Sequence, residues 1–408
     1  MSNELRNADL DRYEEMLSRT GRALRPNAIR KLTALLGRGD VISLAAGAPS
    51  PETFPQEELA EIAARVIREK GKFALQYGPT RGQSSLVEKV AETMLARGVE
   101  KAATEQVVMT TGSQQGLDLI SRVILDPGDV AMVELPSYIG GTIALYNAGA
   151  ELVGVRQDDS GIDIDDLDAK LDRLRSSGRR VKCIYTISNF QNPSGVTLSA
   201  GRRSQLVEVA DRHDLLIIED DPYYELYFSG EQPPITPLAA LRPDRVVYLS
   251  SYSKVLAPGL RTAWVFAPEG LASKIELAKE GADLSSSVLD QAIVAEALRS
   301  GLVEGRLPEL RKFYEVRCRA MLDTLASHAP QTARWTRPVG GFFVLLEAAA
   351  HIDTTELLPA AIESGVAYVP GQPFFVDSSG ANTLRLAYSK ETPENIGEGI
   401  RRLCRLLG

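Results

Sequence analysis

Cysteine and histidine are scarce in this 408-residue chain, and the few present are dispersed. Cys183, Cys318 and Cys404 are odd in number and far apart, so neither a disulfide framework nor a cysteine metal cluster is expected. His213, His328 and His351 are equally scattered, which argues against a dedicated zinc site. Long hydrophobic runs are missing too; none approaches the ~20 residues of a membrane-spanning helix. The first fifteen residues carry Glu4, Arg6, Asp9, Asp11, Arg12, Glu14 and Glu15, unlike a secretory leader. Positive charge is not in excess: 46 Lys and Arg face 54 Asp and Glu, for a net charge of −8. That balance argues against a general nucleic-acid surface, and no zinc-finger or nucleic-acid-binding motif occurs. A soluble cytoplasmic protein is expected, with no membrane and no nucleic-acid partner.

What is present is ordinary globular composition, 44% hydrophobic and 25% charged, in a chain too long for one core. Between about residues 105 and 265, short apolar runs alternate with helical patterns. Gln106–Thr110, Val130–Leu135, Val181–Ile187, Leu215–Glu219, Arg245–Ser250 and Thr262–Ala267 read as buried strands. Gly112–Leu125 and Ile139–Asn147 read as helices between them. The alternation predicts a mainly parallel α/β sheet covered on both faces, with ligands at the carboxyl ends of its strands. Residues beyond about 300 differ. A helix over Pro308–His328, strands at Phe342–Glu347, Val366–Val369 and Thr383–Ser389, and a last helix from Pro393 predict a smaller α+β region. The expected division is 1–50 as an N-terminal segment joining the small domain, 51–299 as the large domain, and 300–408 as the small domain.

The residues after the predicted strands carry the chemistry. Thr111-Gly112-Ser113-Gln114-Gln115-Gly116 opens a helix with small residues, whose exposed backbone N–H groups suit a phosphate. Asp220-Asp221-Pro222-Tyr223-Tyr224 follows another strand. Ser251-Tyr252-Ser253-Lys254 follows a third, with Pro258-Gly259 and Arg261 close behind. A strand-end lysine is commonly a solvated charge. This one stands among hydroxyls, seven residues before an arginine, a setting that combines a nucleophilic amine with a phosphate grip. Ser251-x-x-Lys254 also matches an acyl-hydrolase motif. That motif opens a helix, whereas Pro258 stands four residues on, and its K-T-G partner is absent. No G-x-G-x-x-G follows a strand, which excludes the usual dinucleotide site.

Taken together, these segments resemble fold-type I pyridoxal 5′-phosphate (PLP) enzymes, in the class I/II aminotransferases and nearest their 2-aminoadipate and kynurenine branch. The matching motifs run from ISLAAGAPSPETFP (42–55) through LQYGPTRG (75–82), TGSQQGLDL (111–119), PSY (136–138), QNPSG (191–195), EDDPYYELYF (219–228), SYSKVLAPGLR (251–261) and PGQPFF (370–375) to NTLRLAYS (382–389). Nine short motifs in family order are far more specific than any one.

The resemblance implies a large domain with a mainly parallel seven-stranded sheet, a smaller α+β domain, and a homodimer with composite active sites. It implies that Lys254 carries PLP as a Schiff base and shuttles the substrate proton. Asp220 would pair with the pyridine nitrogen, and Asn192 and Tyr223 with the phenolic oxygen. Tyr138 would stack on the ring. Ser113, Gln114, Ser251 and Arg261 would hold the phosphate, joined by Tyr77 from a neighbouring subunit. Arg385 would grip the substrate α-carboxylate beside Asn192 and Gly47, and Arg30 would meet a distal carboxylate. Ala46-Gly47-Ala48 stands where relatives often read Gly-Gly-Leu. The implied reaction is ping-pong transfer of an amino group from an L-amino acid to a 2-oxo acid, with glutamate and 2-oxoglutarate as one pair. Racemisation, decarboxylation or elimination on the same scaffold stay open at this point. A PLP-responsive transcription regulator is disfavoured, since only about forty residues precede ISLAAG.

Overall fold

The computed structural model describes residues 13–24, 41–228, 230 and 236–408. Fourteen strands occur among them. They are β1 (Ile42–Ser43), β2 (Val107–Thr111), β3 (Val130–Leu135), β4 (Glu151–Asp158), β5 (Gly161–Ile162), β6 (Val181–Thr186) and β7 (Leu216–Asp220), then β8 (Val246–Ser251), β9 (Thr262–Phe266), β10 (Arg334–Trp335), β11 (Phe343–Glu347), β12 (Val366–Ala367), β13 (Val369–Pro370) and β14 (Thr383–Ala387). The large sheet has the order β2-β9-β8-β7-β6-β3-β4-β5. Strands β4, β3, β6, β7 and β8 run parallel, while β9 is antiparallel to both its neighbours.

The strands are apolar on both faces because both faces are covered, and successive side chains enter different cores. Val130 and Met132 of β3 join one core, and Ala131 and Val133 join the other. The same alternation separates Val246 and Tyr248 from Val247 and Leu249 in β8. Helices Ser113–Ile124, Ile139–Asn147 and Glu269–Asp283 close the second core through Leu117, Leu145 and Ile275. Helices Gln56–Ala74, Ile164–Ser176 and Ala200–Arg212 contribute Val66, Leu171 and Leu206 to the first.

A second sheet, β10-β11-β14-β13, is wholly antiparallel and packs with helices Leu302–His328, Thr354–Glu363 and Pro393–Leu407. The N-terminal segment is stitched to this part of the chain. β1 pairs in parallel with β12, and Ala387 N donates to Leu44 O at 2.7 Å.

Three details depart from the sequence reading. The large sheet has eight strands where seven were expected: besides the six segments read from the sequence it contains β4 and the two-residue β5, which folds back antiparallel on β4. The run Val366–Val369 is two strands, because Tyr368 separates a pairing with β1 from a pairing with β14. The long helix starts at Leu302, six residues before Pro308, which sits inside it.

One buried ion pair anchors the carboxyl end of β7. Arg203 and Glu219 are both fully buried, with guanidinium Nη1 3.5 Å from Oε1. Arg203 also donates to Leu198 O (2.9 Å), Ser188 O (2.9 Å) and Asn189 Oδ1 (2.7 Å). Glu219 accepts from Ser188 Oγ (2.7 Å) and from the backbone of Leu238 (3.0 Å) and Ala239 (3.1 Å). Burial pushes the Glu219 carboxyl above its ordinary range, and Arg203 pulls it back. Removing one partner strands a buried charge, so Arg203→Ala should cost about 3–5 kcal/mol in urea denaturation. Arg203→Met combined with Glu219→Gln leaves no charge unpaired and should cost less than the sum of the single changes. Strict additivity would show that the two groups are not coupled.

Candidate active site

A cavity of about 540 Å³ opens at the carboxyl ends of the parallel strands. It lies where a doubly wound sheet leaves a crevice for ligands. Each wall is the first few residues after a strand. β2 leads to Ser113 and Gln114, β3 to Tyr138, β6 to Asn192, β7 ends in Asp220, and β8 leads to Lys254. Arg385 of β14 and the segment 45–49 close it from the side of the second sheet.

At one end, Gly112 precedes helix Ser113–Ile124 at φ +76, and Arg261 sits at φ +45, a left-handed backbone that costs a non-glycine residue energy. The two fit each other: a Cβ on residue 112 would collide with the Arg261 guanidinium. Among the described residues, no carboxylate lies within 4 Å of that guanidinium. The Ser251 hydroxyl lies 2.8 Å from that of Ser253, which also lines the cavity. Gln114 is held by a bond from Nε2 to Gly140 O (2.9 Å). Backbone N–H groups, a guanidinium that meets the Pro258 carbonyl but no carboxylate, and two hydroxyls therefore converge on one anion-sized end.

Asp220, 2% exposed, occupies the middle. Tyr185 donates its hydroxyl to Oδ2 at 2.9 Å, while Oδ1 has no hydrogen-bond partner. Burial drives the carboxyl up to about 7; the Tyr185 bond opposes this, Asp221 adds to it and Lys254 opposes it. The neighbouring Asp221 faces elsewhere. Its Oδ2 accepts from Asn189 Nδ2 (2.9 Å) and the Tyr248 hydroxyl (3.0 Å), and the residue does not line the cavity. Consecutive residues leaving a strand point to opposite faces, so only one of this acidic pair reaches the crevice.

Lys254 reaches the cavity from the turn after β8, its Nζ 5.9 Å from the ring centres of both Tyr223 and Phe342. Burial presses the ammonium down to about 8; Asp220 resists, and the positive charges of Arg261 and Arg385 assist. Tyr223, 3% exposed, stands edge-on to Phe342 and Phe343, at 5.4 and 6.1 Å between ring centres.

Arg385 is 3% exposed, yet among the described residues no carboxylate lies within 4 Å of it. Its guanidinium donates to Asn192 Oδ1 (3.1 Å) and Ala45 O (2.7 Å) and lies 4.5 Å from the Phe343 ring centre, with Nε unpaired. Burial lowers it to about 10, against the pull of Tyr223 and Tyr138. The Asn192 that it meets is itself fixed, because Gln191 Nε2 donates to Glu134 Oε2 (3.0 Å) and Pro136 O (2.7 Å). At Gly47 any side chain would intrude: a Cβ would stand 2.6 Å from the Phe343 ring and 3.5 Å from Arg385 Nη2.

Eleven of the thirteen residues singled out by sequence thus share this cavity: Lys254, Asp220, Tyr223, Ser113, Gln114, Tyr138, Asn192, Ser251, Arg261, Arg385 and Gly47. Tyr77 does not; it is 79% exposed on the surface of its own chain. Arg30 lies outside the described residues. Sequence reasoning missed the part played by Ser253 and Tyr185. A hydroxyl directly before the lysine and a lone tyrosine in an aliphatic strand were the available signals.

The donor set fits PLP. A buried carboxylate oxygen without a partner suits a protonated ring nitrogen, and the Gly112–Arg261 cradle suits its phosphate. The comparisons agree. The sequence profile described as "Aminotransferase class I and II" matches residues 39–403. The 2-aminoadipate transaminase of Thermus thermophilus is 42% identical over 399 residues, 97% of each chain. The aromatic-amino-acid aminotransferase 1 of Thermococcus litoralis is 41% identical over 393 residues, 96% of this chain and 94% of that one. The solved structure of Thermus thermophilus LysN, an α-aminoadipate aminotransferase complexed with N-(5′-phosphopyridoxyl)-L-leucine, superposes with a TM-score of 0.88 at 40% identity, covering 97% of this chain and 98% of that one. The chain belongs to the class I and II aminotransferases, PLP-dependent enzymes that move an amino group between an amino acid and a 2-oxo acid.

Proposed function

We propose that Lys254, Asp220 and Arg385 are the three charged groups that perform this transfer, each acting on a different part of cofactor and substrate. The observation that carries the reading is that all three face one cavity, and both Asp220 and Arg385 retain an unpaired polar atom. PLP, when bound, supplies an aldehyde that captures amines and a ring that withdraws electrons from the substrate Cα.

Lys254 Nζ would hold the cofactor through its aldehyde, and as a free amine it would take the proton from the substrate Cα and return it. Its depressed basicity suits both tasks, since the free amine is the form that attacks and abstracts. Asp220 would hold the ring nitrogen of the bound cofactor, and that cationic partner would offset the cost of burying the carboxylate. Arg385 holds the α-carboxylate as a planar fork, with Asn192 and Gly47 shaping its approach. Tyr138 would support the ring, and Tyr223 and Asn192 would serve its phenolic oxygen. Ser113, Gln114, Ser251 and Arg261 would hold the phosphate, with Ser253 beside them.

The cavity lining includes the apolar residues Ala46, Ala48, Pro49 and Ile187. It suits aliphatic or aromatic L-amino acids as donors, with glutamate and 2-oxoglutarate as the paired acid and oxo acid. A panel of amino acids scored by spectral conversion of bound PLP to pyridoxamine phosphate tests this. Conversion by glutamate alone would overturn the apolar-donor reading, and turnover without pyridoxamine phosphate would remove the two-stage transfer.

A homodimer is part of the proposal. Tyr77 is 79% exposed, next to Leu75 at 66% and near Phe73 at 51%, an apolar surface suited to burial against a second copy. Tyr77 would then serve the phosphate of the neighbouring subunit. A cytoplasmic setting accords with three buried cysteines, all free thiols.

Three outcomes check these roles. Borohydride reduction should fix the cofactor on Lys254, and the rate of PLP capture by apoprotein should rise with pH to a midpoint near the lysine's value of about 8. At that pH half of Lys254 is free base, against ~0.3% for an ordinary lysine, so a midpoint above 10 would remove the argument. Asp220→Ala should slow single-turnover Cα deprotonation by about 10²–10³, with Asp221→Ala affecting stability more than rate. The reverse pattern would transfer the role to Asp221. Finally, mixing inactive Lys254→Ala chains with inactive Tyr77→Ala chains should restore activity through hybrid dimers. A fully active monomer in sedimentation would refute the composite site.

A further inference from the structure

At the opposite, amino-terminal edge of the large sheet lies a second recess, of about 340 Å³. Val181 and Lys182 at the start of β6, and Leu215 just before β7, form part of its wall. The ends of helices Ile164–Ser176 and Ala200–Arg212 and the turn after the first helix complete it. Since β6 and β7 end at the active cavity, the two sites are separated by a strand length, roughly 17–20 Å.

Charge distinguishes this recess. Arg175, Arg179, Arg180, Lys182, Arg212 and His213 all line it. Among the described residues, Asp214 is the one acidic residue in its lining, and Arg245 already engages it at 2.7 Å. The cations that have carboxylate partners find them outside the lining. Arg179 meets Glu151 at 2.6 Å, Lys182 meets Asp129 at 3.5 Å, and Arg212 shares Asp168 with His213, whose Nε2 is 2.8 Å away. Among the described residues, no carboxylate lies within 4 Å of the Arg175 or Arg180 guanidinium.

The negative ends of the helix dipoles account for Arg175 and Arg212, which lie in the last turns of their helices. They do not account for Arg180 and Lys182, on the stretch that enters β6. Gathering this many cations in one concavity is costly through self-repulsion unless an anion joins them. In a chain of net charge −8, the clustering runs against the overall composition.

We propose that this recess binds a small polyanion bearing a diphosphate group. Guanidinium forks match phosphate oxygens two at a time, and several forks around one hollow need an anion with several such oxygens. The confined volume favours a compact ligand over an extended polymer. Inorganic diphosphate and a nucleoside diphosphate present the same recognised group.

Calorimetric titration of inorganic diphosphate into the PLP-loaded enzyme tests the proposal. Saturable binding is expected at one site per chain, weakening as salt rises and leaving cofactor absorbance unchanged, because the cofactor's own phosphate fills the cradle in the active cavity. The double variant Arg175→Gln/Arg180→Gln should weaken it by at least about tenfold. Lys274→Gln, an exposed cation elsewhere, should leave it unaltered. Both replaced arginines are exposed, and matching thermal melts would confirm an intact fold. ADP binding equal to diphosphate would identify the diphosphate group as what is read, and tighter ADP binding would identify a nucleotide; either supports the site. No saturable binding, unchanged affinity in the double variant, or binding confined to long polyanions such as single-stranded RNA would each overturn it.

Discussion

Everything at the active cavity follows from charges withdrawn from water and left incompletely paired. A carboxylate, an ammonium and a guanidinium have each been desolvated, and Asp220 and Arg385 each keep a buried polar atom without a hydrogen-bond partner. Such groups are a liability to the isolated fold, since burial without a full set of partners costs free energy. The surrounding packing must sustain them, and a ligand that completes their hydrogen bonds recovers the cost. Arg385 illustrates the economy of the arrangement. Two of its nitrogens are held by Asn192 and Ala45, so the guanidinium is positioned before any carboxylate arrives. Little conformational entropy then remains to be lost on binding.

The parallel sheet explains why these residues, distant in sequence, meet. Every parallel strand ends on the same edge, so the first residues after β2, β3, β6, β7 and β8 crowd one crevice. Close approach there depends on residues without side chains. Gly112 admits the Arg261 guanidinium, and Gly47 admits the Phe343 ring against which Arg385 rests. Larger residues at either point would move a charged group away from where its partner must bind.

How much of this was legible in the sequence depended on how buried each segment is. Strands β3, β6, β7 and β8 are apolar on both faces, and their runs of Val, Ile and Leu mark them plainly. β4 escaped notice because only Gly154 and Val155 of Glu151–Asp158 are buried and the segment carries Glu151, Arg156 and Asp158, as a strand near the sheet's edge can. Pro308 was read as a helix start, although the helix begins at Leu302 and accommodates the proline internally. The motifs carried most of the site. They could not show that Asp220 and Asp221 point in different directions, because that depends on the pleat at the end of β7. Nor could they show that Tyr185 bonds Asp220, because a buried tyrosine in a strand has the same local signature as any core aromatic.

The same strand geometry that gathers the active site also separates it from the arginine-rich recess. A sheet carries only a small net dipole, so neither edge is inherently positive. The sign at each edge is set by what the linkers supply. At the carboxyl edge Lys254 and Arg261 both come from the linker after β8 and Arg385 from β14 of the second sheet, and they stand beside Asp220 and apolar walls. At the amino edge a single stretch, Arg175 to Lys182, supplies four cations, and the next helix end adds Arg212 and His213. The carboxylate partners of Arg179, Lys182, Arg212 and His213 lie outside the recess, and among the described residues Arg175 and Arg180 have none. That one-sided arrangement is costly in a chain of net negative charge, and a bound anion is the simplest physical agent that would offset it.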